Sequence, residues 1–450
     1  MHQRIDNALR ALRQDLPSRL DESAINAACR KMGHTWRECL LTPVAIIHWF
    51  ITQVLRGNTA LKHISLLADR EFTDSALCQA RSRLPLAVFQ EVLKSLVKAL
   101  NPAIDTTGRW LGHRTFLLDG SSFSMPDTGE LQSYFGQSGC QLPGCGFPVA
   151  KILALFHAGT GMLLDVLAAP LRTHEMSQID AIHPMLERND VLVGDRGFCS
   201  FVHLALLAAR GVHAVFRAHQ KQLVDFTPNR RHARPRSKRA PAGLPRSRWL
   251  RRLGEFDQIV QWFKPDQRPE WMSEERFQAL PKSLIVRELR YEIGRPGFRT
   301  RSVTLVTTLL DPAVYTAKEL ATLYGARWQV ELNLRHLKTT MKFDVCKCMT
   351  VEGVVKEMTV YAIVYNLVRL VMTEAARRRG IPVERISFVD SLRWLREATG
   401  TPELSHLAIN PERPDRLEPR ADKRRPKEYD RLNKPRKELR KQLLPQYDAA

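Results

Sequence analysis

The feature that most constrains this chain is a succession of short apolar runs between Arg114 and Phe216. Thr115–Asp119 (TFLLD), Val149–His157 (VAKILALFH) and Met162–Leu167 (MLLDVL) are bounded by Gly, Pro or charged residues. Runs this short suit buried or hairpin strands rather than core helices. Gly159-Thr160-Gly161 supplies a tight turn between the last two. A helical stretch at Met176–Leu186, a strand at Asp190–Gly194, a helix at Phe201–Arg210 and a strand at Val212–Phe216 follow. Three strands, helix, strand, helix, strand predicts an α/β fold in which helices flank a mixed sheet.

Other segments hang on that core. Residues 1–104 read as an all-helical front domain. Within it Leu61–Asp69 and Asp74–Leu84 flank a short turn, with Thr73 placed to cap the second helix. As a helix-turn-helix, that second helix would offer Gln79, Arg81 and Arg83 to DNA. A plain helical hairpin fits the same pattern. The α/β domain takes 105–217 and 299–380, and 218–298 interrupts it as a basic, β-rich insertion. Asp225 is the lone acid between Gln220 and Arg252, a stretch that includes Arg230, Arg231, Arg234, Arg236, Lys238 and Arg239. Such an arm suits phosphates. Strands at Leu284–Tyr291 and Thr300–Leu309 return the chain to the core. An apolar helix at Val354–Arg378 then runs to Gly380 as its stop. Residues 381–450 form a C-terminal region whose basic tail, from Pro411 on, is expected to be disordered or only partly helical.

The net charge of +22 and pI near 10.0 call for a polyanionic partner, with nucleic acid ahead of a membrane surface. No apolar run reaches the roughly 18 residues of a spanning helix, and the N-terminus lacks the apolar stretch of a secretory signal. The eight Cys show no finger-like spacing, which favours reduced thiols in a cytosol.

Leu320–Met341 (LATLYGARWQVELNLRHLKTTM) reads as a helix of about six turns. At about 100° per residue, Tyr324, Arg327, Glu331 and Lys338 share a stripe about 60° wide. Leu323, Val330, Leu334, Leu337 and Met341 form the core edge beside it, and Trp328 is expected in the core. An ordinary i,i+4 ion pair accounts for Arg327 and Glu331 equally well. Asp119 ends an apolar run ahead of Gly120, and Asp195 ends another in VLVGDRGF between Gly194 and Gly197, where acids also serve simply as turn residues. Carboxyl ends of adjacent strands open into one crevice. Joined there by Glu331, the two aspartates form a set of oxygen donors suited to Mg²⁺ or Mn²⁺ and to phosphoryl transfer.

These motifs bring in a family. LLDGSSF around Asp119, VGDRGF around Asp195 and the pattern Tyr324-x2-Arg327-x3-Glu331-x6-Lys338 resemble insertion-sequence transposases of the DDE class. FGQSGCQLPGCGFPVAKILALF and Thr173-His174-Glu175 extend the likeness over roughly Arg114–Met341. The resemblance implies a ribonuclease-H-like catalytic domain in which Asp119, Asp195 and Glu331 hold two divalent ions. Tyr324, Arg327 and Lys338 would grip phosphate near the cut end. It further implies double-stranded DNA partners (terminal inverted repeats and target), a homodimer in the synaptic complex, a hairpin intermediate and a bacterial, nucleoid-associated setting. A tryptophan of the insertion, from among Trp249, Trp262 and Trp271, would stack on a flipped base. Two alternatives remain at this point. One is a relative that binds DNA without cutting it; the other is a metal-dependent nuclease without strand transfer.

Overall fold

The computed structural model describes residues 20, 22–68, 70–233, 243–293, 302–397, 404–411 and 432–443. Its frame is a nine-stranded sheet. The strands are β1 (Thr115–Ser124), β2 (Val149–His157), β3 (Leu163–Pro170), β4 (Val191–Gly194), β5 (His213–Arg217), β6 (Arg248–Gly254), β7 (Asp257–Phe263), β8 (Ser283–Glu292) and β9 (Ser302–Thr307). Their spatial order is β3-β2-β1-β4-β5-β9-β8-β7-β6. β1, β4 and β5 run parallel, while β2 and β3 return antiparallel at one edge. That first half is the ribonuclease-H-like arrangement, and the sequence-based fold class holds.

β1 outruns its apolar TFLLD stretch. GSSFS continues it because β2 pairs alongside as far as Ser124 with Val149. The helix expected at Met176–Leu186 is a run of short helical turns from Glu175 to Met185, broken at Pro184, which cannot donate within a helix. The insertion does not stand apart from the central sheet. β5 pairs with β9, β9 with β8, and β8 with β7, so the inserted strands extend the same hydrogen-bonded surface.

The helices of the front are α1 (Glu22–Lys31), α2 (Pro43–Leu55), α3 (Leu61–Leu67), α4 (Asp74–Arg83) and α5 (Leu86–Thr106). After α6 (Gly129–Phe135), α7 (Phe201–Ala209) and α8 (Glu274–Ala279) come α9 (Ala317–Ala326), α10 (Trp328–Arg335) and α11 (Val351–Arg379). α12 (Phe388–Glu397) and α13 (Arg436–Leu443) complete the set among the described residues. α11 is buried almost throughout and ends where Gly380 turns left-handed at φ 62°. It packs against α2 and α5 on one side and the β3 edge on the other. Front and sheet consequently share one hydrophobic core, from Leu20 to Leu407. Polar contacts tie the seam. Glu357 accepts from Asn58 Nδ2 at 2.6 Å and from the Cys348 N–H at 2.9 Å. Asn366 donates to and accepts from the Leu163 backbone, both at 2.8 Å, which satisfies the start of edge strand β3. Among the described residues no helix is long and apolar enough to cross a membrane.

The basic segments separate into anchored and free parts. Thr73 caps α4 as expected, accepting from the Ala76 N–H. Gln79 and Arg83 are exposed on that helix. Arg81 turns inward instead, donating to Gln53 Oε1 at 2.7 Å and to Cys348 Sγ at 3.1 Å, above the Phe50 ring. Arg230 is likewise engaged, with Asp225 O at 2.7 Å and Ser247 Oγ at 2.8 Å, whereas Arg231 is exposed. Arg234, Arg236, Lys238 and Arg239 lie outside the described residues. In the C-terminal tail, α13 docks through Arg436, which stacks 3.8 Å from the Phe147 ring centre and pairs with Asp127 at 3.2 Å.

Candidate active site

The site begins with strand register. β1 and β4 are paired up to Leu118 and Gly194. The next residue on each is an aspartate, so Asp119 and Asp195 emerge side by side from strands about 4.8 Å apart. Gly194 permits this. A Cβ there would lie 3.1 Å from the Phe216 ring and 3.2 Å from that of Phe198. Asp195 is still extended (φ −75°, ψ 176°) as it opens the turn Arg196–Phe198. Asp119 accepts from the Gly120 N–H at 2.9 Å. Burial pushes the Asp119 pKa up to about 6; nearby Asp195 and Glu331 act in the same direction, and the Gly120 N–H and Arg327 oppose it.

Glu331 arrives from above the sheet, but not on one unbroken helix. Thr316 caps α9 through the Glu319 N–H. At Arg327 the ladder tightens: its N–H donates to Tyr324 O at 3.0 Å, and the Val330 N–H donates to Arg327 O at 2.9 Å. α10 follows, and His336–Thr340 widens into a π turn closed by Met341 N to His336 O at 3.0 Å. Periodicity predicted a single helix because neither irregularity needs Gly or Pro. π turns of this kind gather at functional sites.

Contacts link five of the six motif residues, and Lys338 is tied to Ser121, two residues along β1 from Asp119. Arg327 lies between two of the carboxylates, with Nη1 3.7 Å from Asp119 Oδ2 and Nη2 donating to Glu331 Oε1 at 3.1 Å. The i,i+4 pair therefore exists, but it also reaches the sheet. Tyr324 OH donates to Asp195 Oδ1 at 3.4 Å, and burial raises the phenol's pKa. Lys338 Nζ donates to Ser121 Oγ at 3.1 Å, on the same face of β1 as Asp119. Ser121 lies within the LLDGSSF motif, but only the tertiary structure shows it as this partner.

Trp328 corrects an expectation. It is 60 % exposed rather than in the core, and the other seven tryptophans are buried or half-buried. Three positions before Glu331, it falls on the side of the stripe away from the Leu/Val edge. Of the three insertion tryptophans, Trp262 is buried and donates Nε1 to Glu288 at 2.9 Å, while Trp249 and Trp271 are half-buried. An open cleft of roughly 1340 Å³ separates the insertion from the ends of β3, β4 and β5, lined by Trp262, Trp271, Lys221, Arg246 and Lys264 among others.

The donors fit a hard divalent cation: three carboxylates converge, and burial leaves Asp119 in need of positive charge. Arg327 supplies that charge in this conformation. Among the described residues no three acid, His or Cys side chains are yet close enough to enclose an ion.

Residues 110–367, more than half of the chain, match the family model described as transposase DDE domain. The transposase InsG for insertion sequence element IS4 of Escherichia coli (strain K12) is 24% identical over 441 residues, covering 91% of this chain and 92% of its own. InsZ, a transposase candidate from the same strain, is 25% identical over 175 residues, which span 38% of this chain and 58% of InsZ. Among solved structures, the piggyBac transposase in a synaptic complex with hairpin DNA aligns with a TM-score of 0.41 and 11% identity, covering 86% of this chain and 78% of that one.

Proposed function

The chain belongs to the DDE transposase family, and from that premise we propose that it cuts the ends of a DNA element and joins them to a target at Asp119, Asp195 and Glu331. The observation that carries the reading is the shared register that sets Asp119 beside Asp195, with Arg327 drawing Glu331 toward them. These three carboxylates would hold two Mg²⁺ or Mn²⁺ ions. The ions, when bound, supply an activated water and neutralise charge on the leaving oxygen.

The chain's own groups do the positioning. Arg327 exchanges its carboxylate partners for phosphate, to which its planar fork presents two parallel donors. Lys338, steadied on Ser121, adds a compact positive charge, and the Tyr324 hydroxyl donates a hydrogen bond close to Asp195. Hydrolysis of one phosphodiester at the element's end leaves a 3′-hydroxyl. That hydroxyl attacks the opposite strand to give a hairpin and, after reopening, attacks target DNA. Trp328, exposed beside Arg327, would stack on an unpaired base; its exposure supports this role. The exposed Gln79, Arg83 and Arg231 bind flanking duplex, and two copies of the chain pair the two element ends.

The test is incubation of the purified chain with Mg²⁺ and duplex DNA carrying the element's terminal inverted repeats. Nicking at the repeat end followed by hairpin and joined products is expected. Binding without nicking would identify a DNA-binding relative that has lost cleavage. Nicking of any duplex without joined products would identify a nuclease without strand transfer.

A further inference from the structure

The row of charges along the sheet extends beyond the two aspartates. β4 and β5 are parallel, and their last pair is Gly194 with Phe216, which continues the Leu118–Gly194 level across from β1. One residue further on stand Asp119, Asp195 and Arg217, at the same level on three adjacent strands. Residues level in parallel strands share a face, so Arg217 emerges beside Asp195 and two strand spacings, about 10 Å, from Asp119. Its charge reaches the phenol of Tyr324, which itself donates to Asp195, and the phenol of Tyr291 on β8.

Arg217 is half-buried, and its backbone is held against Leu305 of β9. Among the described residues no carboxylate pairs with its side chain. Buried arginines elsewhere on the sheet are matched: Arg114 has Asp190, and Arg287 has Asp257. A guanidinium fixed on a strand, level with Asp195 but paired with no carboxylate among the described residues, is arranged for an anion that arrives from outside.

We propose that Arg217, together with Tyr324, forms a second phosphate subsite on the β5 side of the catalytic acids. It holds the phosphodiester neighbouring the one that is cut. Lys338 on Ser121 marks the β1 side, so the bound strand crosses β1, β4 and β5 at the level of Asp119, Asp195 and Arg217. The inference rests on the DNA-cleavage reading above.

Terminal-repeat duplexes carrying a single neutral methylphosphonate, moved one position at a time around the cut, test the subsite on the full chain. At the phosphate held by Arg217, neutral replacement slows the unmodified protein about tenfold or more, the scale of one charge-assisted hydrogen bond. In Arg217→Gln the same replacement changes the rate less than about twofold, because the interaction is already gone. Arg217→Lys, which keeps the charge but not the fork, retains an intermediate sensitivity. A merely structural role would slow every duplex equally, so unchanged sensitivity at all positions in both variants overturns the inference. If the unmodified protein fails to cut all-phosphate DNA, the cleavage reading itself falls, and the subsite with it.

Discussion

Two kinds of charge cluster sit on one sheet and are built on opposite terms. At the N-terminal ends of β1 and β4, Arg114 grips Asp190 with two parallel hydrogen bonds of 2.8 and 2.7 Å, and Asp105 and Glu187 each approach it to 3.1 Å. In the insertion, Arg287 holds Asp257 in the same bidentate manner and also donates to Tyr315 O. Where Asp119 and Asp195 emerge side by side, one guanidinium is spread between two carboxylates at 3.1 and 3.7 Å, and Tyr324 reaches the third acid over 3.4 Å. The closed pairs spend their hydrogen bonds on each other and hold strands in place. The open cluster leaves acids under-compensated, with Asp119 pushed up to about 6, which is the electrostatic condition under which added positive charge would be favoured.

Substitutions can break that contrast. The largest effect is expected from Glu331→Gln in the open cluster. DNA cleavage should fall at least about a thousandfold, the upper end for losing one charge-stabilising group, while DNA binding and thermal stability persist. Retained cutting, followed on a radiolabelled repeat duplex, would remove Glu331 from the site. Arg287→Ala should do the reverse. Leaving Asp257 buried without its partner costs about 3–5 kcal/mol of stability, read by denaturant unfolding, with cleavage per folded molecule unchanged.

Asp119→Asn sharpens the contrast through pH. The folded Asp119 carboxyl titrates near 6 against an ordinary value of 3.8, so ionisation above pH 6 disfavours the folded state. Without divalent ions, the Asn variant should gain stability relative to the natural chain as pH rises from about 4 to 7, by up to about 3 kcal/mol. Parallel stability curves across that window would show that Asp119 is not strained. Mg²⁺ should shrink the gap by stabilising only the natural chain.

The smallest effect is that of Trp328→Ala. An exposed residue contributes little to folding, so the melting temperature should hold. Hairpin formation should weaken by about 1–3 kcal/mol if the ring stacks on a base. Unchanged hairpin yield would return Trp328 to the ordinary surface.

Much of this site was legible in one dimension. Asp119 and Asp195 stood out because each follows a short apolar run, although only Asp195 ends its strand: β1 continues past Asp119 to Ser124, and register makes the two neighbours. The Tyr324–Arg327–Glu331–Lys338 stripe was legible because helical periodicity is local, and it survived both the tightening at Arg327 and the π turn after Arg335. Arg81 and Gln79 were not separable in the same way. Both are polar positions on α4, yet one faces Phe50 and Cys348 and the other faces solvent. Hydrophobicity alone sent Trp328 to the core, although its angular position already argued otherwise.

The sequence by itself determined the strand cores, the aspartates that follow their apolar runs and the charged stripe, because each depends on neighbours a few residues away. Only the tertiary structure decided that the helical front shares the sheet's hydrophobic core, that the insertion extends the central sheet, and that Arg217 falls level with the aspartates. Those outcomes depend on which distant segments lie alongside one another. Asn58 meets Glu357 and Phe216 lies level with Gly194 only once the chain has closed over the sheet. No local pattern of residue types encodes such a meeting.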